Sequence, residues 1–177
     1  MERKPAVFLD RDGVLTEEKS YVTSVGDLTV FPYVRECVRK IHEKGYYAIV
    51  ITNQSGVARG LFTEQQLLEM NQYLIEETGV DAVYYCPHHP DGKIELYRKR
   101  CSCRKPGTGL FRRACKDFKI DMEHSCMTGD RAGDILAGKY AGLRTILLES
   151  GYGTTRLEFQ IKPDYIVQDL RNIIAIL

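Results

Sequence analysis

The spacing of the apolar runs limits this chain more than any other feature. AVFLD (6–10), YYAIVITN (46–53), AVYYC (82–86), HSCMTGD (124–130), RTILLE (144–149) and DYIVQ (164–168) each have the length of a strand. Helix-length segments alternate with them. YVRECVRKIHEKG (33–45) places apolar residues at Val34, Cys37, Val38 and Ile41, the spacing of one helical face, and closes on Gly45. FTEQQLLEMNQYLIEETG (62–79) opens with Thr63 and Gln66, the pair expected of a capping box, and ends at Gly79. Residues 107–118, the segment RAGDILAGKYAG (131–142) and a last stretch at the carboxyl end read as further helices. Continuous apolar strands separated by helices predict an α/β fold: a mostly parallel, Rossmann-like sheet with helices on both faces. No repeat or low-complexity linker interrupts the pattern, and 177 residues suit one domain over residues 1–177 with a single core.

Charge and composition narrow the partners. Lys and Arg total 25 against 24 Asp and Glu. No strong field therefore points to nucleic acid. No apolar run reaches the ~18 residues of a membrane span, and MERKPAVFLD, whose short apolar run ends in an aspartate, does not read as a secretory signal. The expectation is a cytoplasmic monomer that keeps its thiols reduced. Six cysteines in that setting predict metal ligands and buried thiols rather than disulfides. Cys37, Cys115 and Cys126 lie in apolar helix or strand patterns and are expected in the core.

The chemistry-bearing residues follow strands, where sheets of this kind bind ligands. In FLDRDGVLT, Asp10 and Asp12 leave the first strand two residues apart, so strand periodicity aims both carboxylates the same way. Gly13 permits the sharp exit that follows. Two carboxylates in one pocket separate in pKa, which suits an ionised nucleophile, Asp10, beside a proton donor and acceptor, Asp12. VITNQSG supplies the Thr52 hydroxyl, the Asn53 amide and turn N–H groups, all donors for phosphate oxygens. TGDRAGD adds Asp130, which with Asp10 suits one Mg²⁺. Lys105 offers positive charge to a phosphoryl transition state. Asp134, one helical turn beyond Asp130, suits either orienting a metal-bound water or capping a helix.

This ordered set, D-R-D-G-V, a hydrophobic residue before T-N, R-K-P and G-D-x-x-x-D over residues 8–134, resembles the haloacid dehalogenase superfamily of phosphatases. The resemblance implies an aspartyl-phosphate at Asp10, acid–base action by Asp12, and phosphoryl stabilisation by Thr52 and Lys105. Mg²⁺ would be held by Asp10, the backbone carbonyl of Asp12, and Asp130.

A second metal is implied by Cys86-x-His88 and Cys101-x-Cys103, separated by residues 89–100. Three sulfurs and one imidazole suit a closed, tetrahedral, structural Zn²⁺. His89 competes with His88 as the imidazole. Arg104 and Lys105 follow the last sulfur directly, so a zinc clamp would hold this cationic pair in place for a phosphate. The stretches YYCPHHP, TNQSGVARGLFT and DRDGVLTEEKSYV, within residues 6–153, resemble the D-glycero-D-manno-heptose 1,7-bisphosphate phosphatases, with zinc-containing histidinol-phosphate phosphatases as near relatives. The C-x-H spacing of that group favours His88. The resemblance implies loss of the C7 phosphate of a small phosphorylated sugar, on the route to nucleotide-activated heptose for cell-surface polysaccharide. Glu18, Lys19, Ser20, Tyr21 and Thr52, Asn53, Gln54, Ser55 would line the substrate, with Arg104 recognising it and Arg131 helping. His42 and His124 match no motif, and surface or packing roles are expected for both.

Neither residues 13–51 nor residues 54–104 leave room for a lid domain. An open site is expected, shaped by residues 15–25, 54–62 and 87–103. Three rival readings share some of these features: a histidinol-phosphate phosphatase, a nucleic-acid 3′-phosphatase, and a zinc-dependent binding protein with an inactive site. The Lys- and Arg-rich loop between the zinc pairs favours a substrate with an extra anionic group, and the intact Asp10, Asp12, Thr52, Lys105 and Asp130 favour an enzyme.

Overall fold

A computed structural model describes residues 3–151 and 161–177. Among these residues six parallel strands form one sheet: β1 (Ala6–Leu9), β2 (Tyr47–Asn53), β3 (Ala82–Cys86), β4 (Cys126–Gly129), β5 (Arg144–Leu148) and β6 (Tyr165–Val167), in spatial order β3-β2-β1-β4-β5-β6. β1 is central and wholly buried on both faces. Val7 and Leu9 pack on one side with Val34, Ile41 and Leu74; Ala6 and Phe8 pack on the other with Leu110 and Phe111. Burial on both faces is why this strand reads as a continuous apolar run rather than an alternating one.

Among the described residues five α-helices accompany the sheet: α1 (Val34–Glu43), α2 (Gly56–Arg59), α3 (Glu64–Thr78), α4 (Gly109–Asp117) and α5 (Ala132–Tyr140). α1 buries Val34, Cys37, Val38 and Ile41, the face its spacing predicts. α3 begins with the expected capping box, in which Gln66 N donates to Thr63 Oγ1 and Thr63 N donates to Gln66 Oε1. Three expectations change. Residues 54–62 contain the short helix α2, which ends at Gly60 in the left-handed region (φ 72°). The carboxyl-terminal helix is a 3₁₀ segment, Leu170–Ala175, whose buried residues Leu170 and Ile173 are three apart, the period of that helix. Cys37 and Cys126 are buried, but Cys115 is exposed: α4 turns Leu110, Phe111 and Ala114 inward, and Cys115 falls on the outer face.

The chain builds outward from β1 to β3, then returns to place β4 on the other side of β1. The connections that leave the carboxyl ends of the paired strands β1 and β4 therefore run to opposite sides, and such sheets open a crevice there. Asp10 and Asp130 flank it, and Asp10 N donates to Thr128 O across it at 3.0 Å. Among the described residues no second sheet or helical domain stands over this end, and no helix is long and apolar enough to cross a membrane. Residues 152 and 153, the end of the family resemblance, lie outside the described residues.

Candidate active site

Lys105 organises the crevice. Its Nζ lies 2.9 Å from Asp10 Oδ1 and 2.6 Å from Asp134 Oδ1, and it donates to the Ile51 carbonyl at 2.7 Å. All three ammonium protons thus have acceptors, which a buried cation requires. Burial disfavours this charge, but the two carboxylates outweigh burial and raise the lysine pKa. Asp10 is the counterpart. Burial pushes its carboxyl up to about 6, with Lys105 pulling downward and Asp134 and Asp12 adding to the rise.

The main chain of Lys105 is also fixed. Asn53 Nδ2 donates to Lys105 O at 3.1 Å, and Lys105 N donates to Asn53 Oδ1 at 2.9 Å. This two-way amide clasp ties the end of β2 to the residue that follows Arg104. Asp134 likewise has two duties: its second oxygen accepts from Arg131 N at 3.1 Å. It caps α5 and pins Lys105, the first of which was one of its two expected roles.

Asp12 sits among donors. Arg11 Nε and Nη2 reach its oxygens at 3.0 and 3.1 Å, Gln54 Nε2 at 2.9 Å, and Thr16 Oγ1 at 3.3 Å. Arg11 is 1% exposed, and its Nη2 also donates to Gln54 Oε1 at 3.0 Å. Sequence reasoning passed over Arg11; its only signal was a cation set between two aspartates. Gln54 further donates to Thr52 Oγ1 at 2.9 Å. Thr52 is buried and lines neither cavity described below. Its hydroxyl holds Gln54, because β2 continues through Asn53 and turns that side chain into the network.

Two adjoining cavities open here. The smaller, about 160 Å³, is lined by Asp10, Asp12, Asn53, Ser55, Arg104, Lys105, Arg131 and Asp134. The larger, about 330 Å³, is lined by Asp12, Glu18, Lys19, Ser20, Tyr21, Asn53, Gln54, Ser55 and Arg131 among others. Asp12, Asn53, Ser55 and Arg131 belong to both walls. Arg131 Nη2 lies 2.8 Å from Glu18 Oε2, which ties the start of α5 to the loop after β1. The structure thus brings every expected substrate residue except Thr52 to one of the two walls.

Among the described residues two groups of side chains suit metals. Asp10, Asp130 and Asp134 converge with ligand oxygens within 4.8 Å of one another. A Cβ at Gly13 or at Gly151 would run into Asp130 Oδ2, so both glycines are required to cradle that carboxylate. Acidic oxygens held this closely fit a hard cation such as Mg²⁺. In the second group, Cys86, Cys101 and Cys103 Sγ atoms are 3.3–3.5 Å apart, and His88 Nδ1 lies 3.7 and 3.5 Å from Cys86 and Cys103. Ligands of a tetrahedral zinc stand at about these separations, ~3.8 Å for sulfur pairs. His89 is excluded from the group: its ring meets Arg59 and the Asp91 N–H instead. Glu64, the first residue of α3, fastens both β3 and the loop after it, accepting from Tyr85 Oη at 2.8 Å and Tyr97 Oη at 2.6 Å. His42 pairs with Asp81 and His124 with Asp121, both away from the crevice.

Comparison with known proteins identifies the family. A family model described as HAD-hydrolase-like matches residues 102–173. D-glycero-beta-D-manno-heptose-1,7-bisphosphate 7-phosphatase of Haemophilus ducreyi is 40% identical over 178 residues, covering 97% of each chain. The chain belongs to this heptose bisphosphatase family. Its member from Photorhabdus laumondii is 40% identical over 96% of this chain and 93% of that one, and the Vibrio cholerae member 42% identical over 84% and 83%. The crystal structure of D,D-heptose 1,7-bisphosphate phosphatase from B. bronchiseptica complexed with magnesium and phosphate superposes with a TM-score of 0.82 at 28% identity, covering 97% of this chain and 96% of that one. That enzyme thus shares this fold over nearly its whole length.

Proposed function

We propose that this chain is a Mg²⁺-dependent phosphatase that removes the C7 phosphate of D-glycero-D-manno-heptose 1,7-bisphosphate. One observation carries the reading: Asp10, paired with the buried Lys105 ammonium, lines a small cavity that opens into a larger one walled by sugar-compatible polar side chains. Full-length likeness to relatives named for that activity supports the choice of substrate.

Asp10 acts as the nucleophile. One of its oxygens bonds to phosphorus while the ester P–O bond breaks, and Asp12 gives the departing sugar oxygen its proton. Asp12 then takes a proton from water, whose oxygen bonds to the phosphorus of the aspartyl-phosphate and frees Asp10 and inorganic phosphate. Lys105 holds the phosphoryl oxygens and stays aligned by Asp134 and Asn53. Asp10, Asp130 and the Asp12 carbonyl would hold Mg²⁺, which when bound supplies positive charge to the transferring phosphoryl group. Cys86, His88, Cys101 and Cys103 would hold a structural Zn²⁺, which when bound ties together the two ends of the loop that leads into Arg104. Glu18–Tyr21, Asn53, Ser55, Arg104 and Arg131 bind the sugar phosphate, and residues 1–177 act as one domain, a monomer in the cytoplasm with no nucleic-acid partner.

The test is kcat/KM for both anomers of the heptose bisphosphate, for histidinol phosphate and for a 3′-phosphorylated oligonucleotide. Preference for a bisphosphate supports the reading; preference for histidinol phosphate or the oligonucleotide replaces it.

A further inference from the structure

One pair of side chains beside the site is left with an unresolved contact. Ser55, which lines both cavities, stands at the start of α2, and Arg59 N donates to Ser55 O at 3.0 Å. Residues four apart share a helix face, so Arg59 lies one turn, roughly 6 Å, along the same face as Ser55. There Arg59 Nη2 meets His89 Nε2 at 3.2 Å. The other ring nitrogen, His89 Nδ1, accepts from the Asp91 N–H at 3.1 Å. A neutral imidazole has one acceptor nitrogen. With Nδ1 accepting, Nε2 carries the proton, and a donor faces a donor. Arg59 Nε is buried with no hydrogen-bond partner among the described residues. On the ring's far side Asp91 Oδ2 is 3.9 Å from Nδ1, and the Asp91 side chain is 86% exposed.

An acceptor oxygen between the two groups resolves this contact, since it takes a hydrogen bond from each. Arg104 supplies further positive charge on the same side. Its Nη1 donates to the His88 carbonyl at 3.4 Å, one residue before His89, and its side chain lines the cavity that holds Lys105. Arginine presents a planar fork that matches phosphate oxygens. We propose that Arg59 and His89, next to Arg104, form an anion subsite that takes the second phosphate of a bisphosphorylated sugar while the first lies at Asp10. This rests on the heptose bisphosphate reading above and gives a physical source for its preference for two phosphates. It also gives the loop between the zinc pairs a role in selecting substrate, because His89 belongs to that loop.

The experiment compares kcat/KM for heptose 1,7-bisphosphate with that for heptose 7-phosphate in wild type, Arg59→Gln, Arg59→Lys and His89→Leu, with zinc content measured for each to verify an intact loop. Wild type favours the bisphosphate. That ratio falls about ten-fold or more in Arg59→Gln and in His89→Leu, the scale of one lost charge-assisted hydrogen bond, and Arg59→Lys restores part of it. Loss of activity on both substrates in equal proportion, or an unchanged ratio, overturns the subsite. A second readout does not depend on turnover: titration with D-mannose 1-phosphate, which carries only the sugar 1-phosphate, moves the His89 ring resonances in wild type and does so at least ten-fold more weakly in Arg59→Gln. No movement in wild type overturns the subsite. If wild type hydrolyses p-nitrophenyl phosphate but releases nothing from the bisphosphate, the functional reading fails, and the titration alone decides the subsite.

Discussion

The Lys105 ammonium and the Asp134 carboxylate lie 2.6 Å apart with both side chains 3% exposed, so the cation at the centre of the site is held by a residue that arrives from a helix on the far side of β1. A buried ion pair of this kind contributes position more than stability. Breaking it leaves a buried charge short of a partner. Asp134→Asn is expected to destabilise the fold by about 3 kcal/mol in urea unfolding and to lower kcat well beyond what the lost stability explains. Full kcat in a folded Asp134→Asn protein would show that Lys105 needs no such tether.

Asp10 makes metal-free stability depend on pH. Its folded pKa of about 6 lies above the ordinary 3.8, so the folded state binds this proton more tightly than the unfolded one. The contribution is therefore fully present below pH ~4 and lost as pH rises through 6. Over that window the metal-free protein is expected to lose at most about 3 kcal/mol through this group. Asp10→Asn should lack that component, keep its zinc and show no turnover. Urea midpoints of both proteins at pH 4 and pH 7.5 check the first point, and phosphate release checks the last.

Gln54 separates two roles. As a donor to the substrate, its loss would mainly raise KM. As the residue joining Asp12, Arg11 and Thr52, its loss would mainly lower kcat. The observed contacts favour the second, and Gln54→Leu is expected to lower kcat at least ten-fold with a smaller change in KM, and to cost about 2 kcal/mol for the unpaired buried Arg11 donor. A rise in KM alone would return Gln54 to the substrate wall.

Zinc removal tests the clamp. Chelation is expected to speed amide exchange across residues 86–105 and to lower activity while Mg²⁺ is in excess, and Cys103→Ser should do the same. Pure protein that carries no zinc by metal analysis would defeat the assignment.

Gly13 is required twice over. Its φ of +82° is strained for any side chain, and a Cβ there would strike Asp130 Oδ2. Gly13→Ala is expected to cost about 2 kcal/mol or more and to weaken Mg²⁺ activation, read as a higher Mg²⁺ concentration at half-maximal rate. Unchanged Mg²⁺ dependence would place the cation away from Asp130.

Much of this was legible from residue order alone. Six apolar runs became six parallel strands because each is long enough to span a sheet, and the inner ones, β1, β2, β4 and β5, are apolar enough to be covered on both faces. Asn53 ends a strand and Asp10, Asp12 and Asp130 follow strands, so the polarity of the sheet collects them at one end. The four candidate zinc ligands come as two close pairs at the two ends of one loop, which brings them together with little help from the rest of the fold. The short helix α2 was missed because a four-residue turn of GVAR carries no period long enough to read. Cys115 was misplaced because one residue of helix, ~100° of rotation, separates the inner face from the outer.

The chain by itself determined the sheet, the end at which chemistry occurs and the kinds of atoms gathered there, since those follow from apolar periodicity and from where strands stop. Only the tertiary structure decided which partner each polar atom has: His88 rather than His89 among the sulfurs, Asp134 on Lys105, Asn53 on the Lys105 backbone, Gln54 between Asp12 and Thr52. A hydrogen bond exists only within about 3 Å and along a set direction. Whether side chains 50 residues apart meet that condition depends on how strands and helices pack, which no local pattern of residues encodes.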